Sequence, residues 1–324
     1  MGLTDFREAM TGNNGVSQGA PVVAILMCTY NGDQYISDQL NSIISQTYPA
    51  WKIFVADDGS SDSTLSILQK YQAQFPGRIE IYEGPGKGVA RNFWSLVIDA
   101  RVQGDFYAFC DQDDIWMPSK LERGVEKLKG YAQHPALYCG RTCLVSSEGK
   151  TIGFSPLYSK VACFQNALVQ NIASGNTMMF NHPALALFRS INLDGVDIVM
   201  HDWLAYLIVS AMGGKIVYDH FPYVRYRQHG SNLVGAGNGT VAKLKRVFLM
   251  YRGQHKTWNA KNCKLLLAII GIMPAQSRRT FKEFLCARTV VGWPSLQHLW
   301  RSGVYRQTVA GNLSLYAAAF LGKL

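Results

Sequence analysis

After a polar, Gly/Asn-rich beginning, the chain presents Pro21-Val-Val-Ala-Ile-Leu-Met-Cys28, an unbroken apolar run that stops at Thr29-Tyr30-Asn31-Gly32. A short run of this kind, bounded by turn residues, predicts a strand buried on both faces. Ile36, Leu40, Ile43 and Ile44 then recur at helical spacing and predict a helix from Asp33 to Gln46. The alternation repeats. Trp51–Ala56 reads as a second strand ending in Asp57-Asp58-Gly59-Ser60, and Ser61-x-x-Thr64 opens a helix carrying Leu65, Leu68 and Tyr71. Arg78–Tyr82 alternates as an edge strand does. Gly84-Pro-Gly-Lys-Gly88 is a glycine-rich turn before a helix with Arg91 and Asn92 in its first part. A fourth strand, Phe106–Cys110, runs straight into Asp111-Gln-Asp113-Asp114-Ile-Trp116.

Strands alternating with helices predict an α/β fold: right-handed parallel units forming an open, mostly parallel central sheet covered by helices. Ligands of such sheets bind beyond the carboxyl ends of the strands. That rule gathers Thr29, Tyr30, Asn31, Asp57, Asp58, Arg91 and the acids Asp111–Asp114 along one rim. After Pro135 the pattern is mixed. Leu137–Val145 and Asn176–Phe180 read as strands joined by a polar connection, Ser155–Gly175, and His201-Asp202-Trp203 begins an apolar helix through Met212. Lys215–Tyr218 and Tyr223–Arg227 read as two further strands, the second leading to Arg227-Gln-His229-Gly-Ser-Asn232. Gly235-Ala-Gly237-Asn-Gly239 marks a hinge. The expected division is a flexible tail over 1–20, a sheet domain over 21–238 with halves meeting near residue 130, and a basic helical extension over 239–324.

Charge sharpens that division. The chain of 324 residues has a formal net charge of +10. Residues 241–324 carry fourteen Lys and Arg against one acid, Glu283, whereas the preceding 240 residues are slightly acidic. The excess positive charge of the last quarter points to an anionic partner surface, membrane or nucleic acid. Val241, Leu244, Val247, Phe248 and Tyr251 repeat at helical spacing against Lys243, Lys245, Arg246 and Arg252. Leu265–Met273 is too short to span a bilayer, and Val309–Leu321 is interrupted by Gly311, Asn312 and Ser314. Basic amphipathic helices without a spanning segment read as interfacial on an anionic membrane. The other reading is a helical cap packed on the sheet domain with a solvated basic face. No nucleic-acid reader motif accompanies the charge, and the chain is expected to bind none. Seven cysteines without framework spacing suit a reducing compartment, with Cys139 and Cys143 as ordinary buried thiols. No signal peptide is apparent in the polar first twenty residues.

Three carboxylates within four residues repel one another unless a cation lies among them. A hard divalent ion completed by substrate phosphate meets that need. A helix cap explains one acid at Asp114, not three. Asp57-Asp58-Gly-Ser also suits a plain turn with a helix cap, and Asp202 suits an N-cap for the apolar helix that follows.

In these residues the chain resembles glycosyltransferase family 2, with a GT-A fold, and within it the rhamnosyltransferase-like branch of bacterial O-antigen and capsular polysaccharide synthesis. The resemblance rests on Cys28-Thr-Tyr-Asn-Gly32, Gln46-Thr-Tyr48, Val55-Ala-Asp-Asp-Gly-Ser60, Cys110-Asp-Gln-Asp-Asp-Ile-Trp116, His201-Asp-Trp203 and Arg227–Asn232, in that order. It implies a nucleotide-sugar donor, dTDP- or UDP-linked, with dTDP-L-rhamnose the first choice. It also implies Mg²⁺ or Mn²⁺ and a saccharide acceptor, polyprenyl-linked, met at the cytoplasmic face of the membrane by a peripheral enzyme that can be a monomer or an oligomer. Thr29, Tyr30 and Asn31 then line the base pocket, Asp57 and Asp58 contact the base or ribose, and Arg91 reaches the nucleotide. Asp113 is the first metal ligand, with Asp111 serving the ribose or the ion and Asp114 ordering the site. His229 is a further ligand and Arg227 a phosphate contact, while Asp202 is the general base. Trp116, His201, Trp203 and Asn232 complete the candidates. Many relatives carry two acids where this chain has His201-Asp202, so the base role is carried over to Asp202 alone. A nucleotidyltransferase is the neighbouring alternative, but Thr29-Tyr-Asn-Gly32 lacks its arginine-bearing loop. A processive synthase needs a Gln-x-x-Arg-Trp motif and spanning helices, and neither is seen. A non-catalytic membrane-surface scaffold predicts damage to the acidic motif, which is intact.

Overall fold

The computed structural model describes residues 19–193, 195–229 and 254–324. The expected amino-terminal tail up to residue 18, Asn232, the hinge at 235–239 and the basic repeat from Val241 to Tyr251 lie outside the described residues.

The first half forms as the apolar pattern dictates. Strands β1 (Val23–Thr29), β2 (Trp51–Asp57), β3 (Ile79–Glu83) and β4 (Phe106–Cys110) are joined by helices α1 (Ile36–Ile44), α2 (Thr64–Gln74) and α3 (Val89–Ile98). All three pairings among these strands are parallel, in the order β3-β2-β1-β4. Successive residues of β1 point to opposite faces and both faces are buried. Ala24, Leu26 and Cys28 join one apolar cluster, Val23, Ile25 and Met27 the other. That is why the run shows no polar alternation.

The second half is mixed. β5 (Ile115–Trp116), α4 (Lys120–Leu128), β6 (Ala136–Val145), β7 (Thr151–Phe154), α5 (Phe164–Ala167), β8 (Met179–Asn181), α6 (His182–Ser190), α7 (His201–Ala211) and β9 (Lys215–Arg227) follow in turn. The sheet continues β4-β8-β6-β9-β5, with β7 beside β6. β8 is antiparallel to both neighbours, and β6 and β9 are parallel.

Three local expectations change. The two strands foreseen across Lys215–Arg227 are one strand, whose register against β6 shifts between Gly140 and Thr142. The shift absorbs the Phe221-Pro222 interruption, where proline has no N–H for the ladder. The polar connection 155–175 holds the short α5, whose Phe164 and Ala167 are buried. The first helix begins at Ile36 because Gly32–Tyr35 form a turn closed on the Gly32 carbonyl.

Beyond residue 253, α8 (Gln254–Ile269), α9 (Ala275–Thr289), α10 (Trp293–Ser302) and α11 (Val309–Phe320) form a helical extension. Leu266, Phe281, Phe284, Leu299 and Leu315 belong to the apolar cluster that also contains Phe109 and Tyr206. The extension therefore shares a core with one face of the sheet. Gln307 reinforces this by accepting from Lys160 N and donating to Lys160 O. Among the described residues, no helix is long and apolar enough to cross a membrane.

Candidate active site

The rim at the carboxyl ends of β1, β2 and β4 is a set of loops that hold one another. Thr29 is buried, and its hydroxyl donates to Asp57 Oδ2 at 2.7 Å. Asp57 also accepts from Ser60 N at 2.8 Å and Ser60 Oγ at 2.7 Å. Asp58 accepts from Gly86 N at 2.6 Å and Gly88 N at 2.8 Å, which ties down the glycine-rich turn before α3. Both acids thus fasten loops, as the turn alternative has it, and neither caps α2, whose cap position is Ser63. Asn31, at φ 47°, accepts from Ser61 N, and Tyr30 stays 58% exposed above the rim. Arg91 donates to the Val196 carbonyl, so the carbonyl side of that loop holds its guanidinium.

Gln112 escaped notice in the sequence because it lies between acids. Its amide accepts from Tyr30 N at 2.9 Å and donates to Tyr30 O at 3.0 Å, stapling the β1 loop to the acidic loop. Gly32 is required beneath it, since a Cβ there would fall 2.3 Å from Gln112 Oε1.

The acidic loop is anchored from three directions. Asp114 is fully buried, accepting from Asn176 Nδ2 at 2.6 Å and from Arg227 N at 3.1 Å. Arg227 is buried at the end of β9. It donates through Nε to Asp113 O, through Nη1 to Ser147 O and through Nη2 to the Asp38 carboxylate at 2.8 Å. Its guanidinium also covers the Tyr35 ring. Arg227 is accordingly committed to an ion pair with Asp38 and to two backbone carbonyls, where the resemblance implied a phosphate contact. His229 Nε2 lies 2.8 Å from Asp113 Oδ2, and its ring packs 4.9 Å from Tyr35.

Asp202 lies in the first turn of α7 and does not cap it, since the cap position is Met200. Its carboxylate accepts from Gly175 N at 3.1 Å and from Trp203 N at 2.6 Å. Burial, opposed by these hydrogen bonds, pushes it up to about 6. Asn176, the anchor of Asp114, is the residue after Gly175, so one turn holds both Asp202 and the acidic loop. His201 faces inward, stacked 3.9 Å from the Phe93 ring, and burial holds it down at about 3. Gly175 must be glycine against it, because a Cβ would lie 2.6 Å from His201 Nε2. Trp203 is buried, its indole N–H on Ala167 O at 2.7 Å, which makes it a core residue. Trp116 is buried as well, under the ammonium of Lys120 at 3.5 Å from the ring centroid.

Among the described residues, no three His, Cys, Asp or Glu side chains converge as a metal-ligand set. Asp113 and His229 supply two, and Asp111 is not brought in as a third. Asp111 is nonetheless raised by burial, then by the carboxylates of Asp113 and Asp202. A buried carboxyl raised by neighbouring carboxylates suits a cation. Mg²⁺ in particular is held by one or two protein ligands with phosphate oxygens completing its shell. The donor set therefore fits a divalent ion that arrives with a diphosphate.

The sequence profile of Glycosyl transferase family 2 matches residues 24–192. The chain belongs to this family. The family 2 match covers Thr29 through Asn176 and ends before Asp202, Arg227 and His229, which the fold brings to the same loops. The dTDP-rhamnosyl transferase RfbG of Shigella flexneri is 31% identical over 238 residues, covering 69% of this chain and 78% of its own. Among solved structures, S. aureus TarS 1-349 in complex with UDP-GlcNAc superposes with a TM-score of 0.50 at 16% identity, over 88% of this chain and 93% of that one. The mannosyltransferase PcManGT from Pyrobaculum calidifontis, in complex with GDP-Man and Mn²⁺, gives 0.50 at 15%, over 99% and 92%. The fold is the family 2 type: an α/β, Rossmann-like GT-A sheet flanked by helices, with a helical extension. As a family 2 glycosyltransferase, the protein works on a nucleotide-sugar donor and a saccharide acceptor.

Proposed function

We propose that the protein is an inverting, metal-dependent glycosyltransferase of bacterial surface-polysaccharide synthesis, with Asp202 as its base. The observation that carries this reading is the Gly175-Asn176 turn, which fixes Asp202 and Asp114 through adjacent residues. Base and acidic loop are thereby tied to one short segment of backbone.

The nucleotide lies along Thr29–Asn31, with its diphosphate toward Asp111 and Asp113. Asp113 and His229 would hold Mg²⁺ or Mn²⁺, which when bound neutralises the charge gathering on the leaving diphosphate. Asp202 accepts the proton of an acceptor hydroxyl. The hydroxyl oxygen bonds to the anomeric carbon from the face opposite the diphosphate, and the carbon–oxygen bond to the diphosphate breaks with its electron pair. The sugar is transferred with inverted configuration. A base raised toward 6 is a better proton acceptor than an ordinary aspartate and stays ionised at neutral pH.

dTDP-L-rhamnose is the donor favoured by the likeness to RfbG. A UDP-hexose is the second reading, favoured by the TarS likeness with UDP-GlcNAc. The acceptor is a saccharide carried on a polyprenyl lipid at the cytoplasmic face of the membrane. A mass-spectrometric screen of dTDP- and UDP-sugars with Mn²⁺ tests the donor. Asp202→Asn tests the base: turnover lost with nucleoside-diphosphate binding kept supports it, and near-normal turnover removes Asp202 from the reaction.

A further inference from the structure

The last two helices leave a large apolar face uncovered. Trp293 and Trp300 on α10 are each 74% exposed, and Val309, Leu313, Phe320 and Leu321 at α11 are exposed too. Trp293 and Trp300 are seven residues apart, on one face of their helix. Val309, Leu313 and Phe320 lie within about 40° of one another at 3.6 residues per turn. The two stripes meet: the Trp293 and Phe320 rings are 6.1 Å apart, edge to face, and Gly292 N donates to Phe320 O at 2.9 Å. The opposite faces are filled. Ser295, Leu299 and Ser302 of α10 and Leu315 and Ala319 of α11 are buried against the body. Folding therefore leaves the tryptophans outside while packing their neighbours inside, and no partner within the described chain covers them.

The charge beside this face chooses its occupant. From residue 284 to the end there are four basic residues and no acid. Arg301 follows Trp300 and Lys323 follows Leu321, both exposed. Tryptophan is favoured at the depth of lipid headgroups, where its ring is apolar and its N–H stays wet. Basic residues beside an apolar face add attraction to anionic lipid.

We propose that the α10–α11 hairpin is a docking surface for an anionic lipid bilayer, with Trp293 and Trp300 seated at the headgroup level. This deepens the proposed function by giving a lipid-borne acceptor a defined side of approach, and rests on it only for that purpose. The helices lie on the bilayer and do not cross it.

The test is co-sedimentation of the full chain with phosphatidylcholine vesicles, with and without phosphatidylglycerol, together with quenching of tryptophan fluorescence by brominated lipid. Binding is expected only with phosphatidylglycerol, weakened by salt and accompanied by quenching. Trp293→Ser/Trp300→Ser, changing two exposed side chains, should reduce it by roughly tenfold or more. Far-UV circular dichroism and nucleoside-diphosphate binding should be unchanged. Undiminished binding by the double variant overturns the assignment, as does a wild-type chain that ignores anionic vesicles. A tryptophan-dependent dimer that excludes vesicles overturns it in favour of a second copy. Loss of nucleotide binding in the wild type would instead fault the transferase reading and leave the vesicle result standing.

Discussion

His229 Nε2 lies 2.8 Å from Asp113 Oδ2, joining the residue just past β9 to the acidic loop after β4, 116 positions earlier. Two side chains with ligating atoms so close present a ready pair for one ion. His229→Ala should raise the Mn²⁺ concentration needed for half-maximal transfer about 10- to 100-fold, with activity recovering as Mn²⁺ is added. Asp113→Ala should not recover. Titration of initial rate against Mn²⁺ separates them, and an unchanged Mn²⁺ dependence in His229→Ala would remove the histidine from the ion's shell.

Asp202 sets the pH profile. It must be ionised to accept a proton, and burial raises it to about 6. Below that value the carboxyl is protonated, so kcat/KM should fall about tenfold per pH unit on the acid side and level off above it. Asp202→Asn should lower the plateau by about 10²- to 10⁴-fold and abolish this limb. The measurement is kcat/KM from pH 5 to 8 at saturating metal. A limb that persists in the asparagine variant would belong to another group.

The nucleotide-binding half was legible because its strands are buried on both faces. Runs such as Val23–Thr29 and Phe106–Cys110 have no competing period, and the loops after them must carry the polar residues. The acids were therefore found where they lie. Their roles were less legible. Asp58 is committed to Gly86 and Gly88, and Arg227 to Asp38 and two carbonyls, because a hydrogen-bond partner 30 or 189 residues away leaves no local trace. Gln112 and Asn176 went unnoticed for the same reason: an amide is informative only once its two partners are known. Lys120 leaves no such trace either, since a lysine at a helix start is ordinarily solvated.

Asn176 donates to Asp114 Oδ2 at 2.6 Å in a fully buried position. Its removal leaves a buried carboxyl oxygen without that donor, a loss of about 1–3 kcal/mol. Asn176→Ala should lower the stability by that amount in urea. It should also reduce kcat more than Asn176→Asp, in which an oxygen remains that can share a proton with Asp114. Equal loss of kcat in both variants would point to a purely steric role for the turn.

Lys120 is the most deeply buried lysine among the described residues. It is 1% exposed, stacked over Trp116, and its Nζ has no hydrogen-bond partner among the described residues. Burial lowers it to about 7, against the raising influence of Cys110 and Asp114. The sign follows from proton counts. Between pH 7 and the ordinary lysine value the unfolded chain holds a proton that the folded chain lacks, so this residue's contribution to stability improves as pH rises through that window. Its cost is full below pH 7 and disappears above about pH 10.5. Lys120→Met keeps the stem that covers Trp116 and removes the charge. It should therefore raise the melting temperature by roughly 2–4 °C at pH 6.5, equivalent to about 1 kcal/mol in a chain of this size, and by progressively less toward pH 9. Differential scanning calorimetry at the two pH values decides it. A lower melting temperature at pH 6.5 would mean that attraction to Asp114 outweighs burial, making Lys120 the counter-ion beneath the acidic loop.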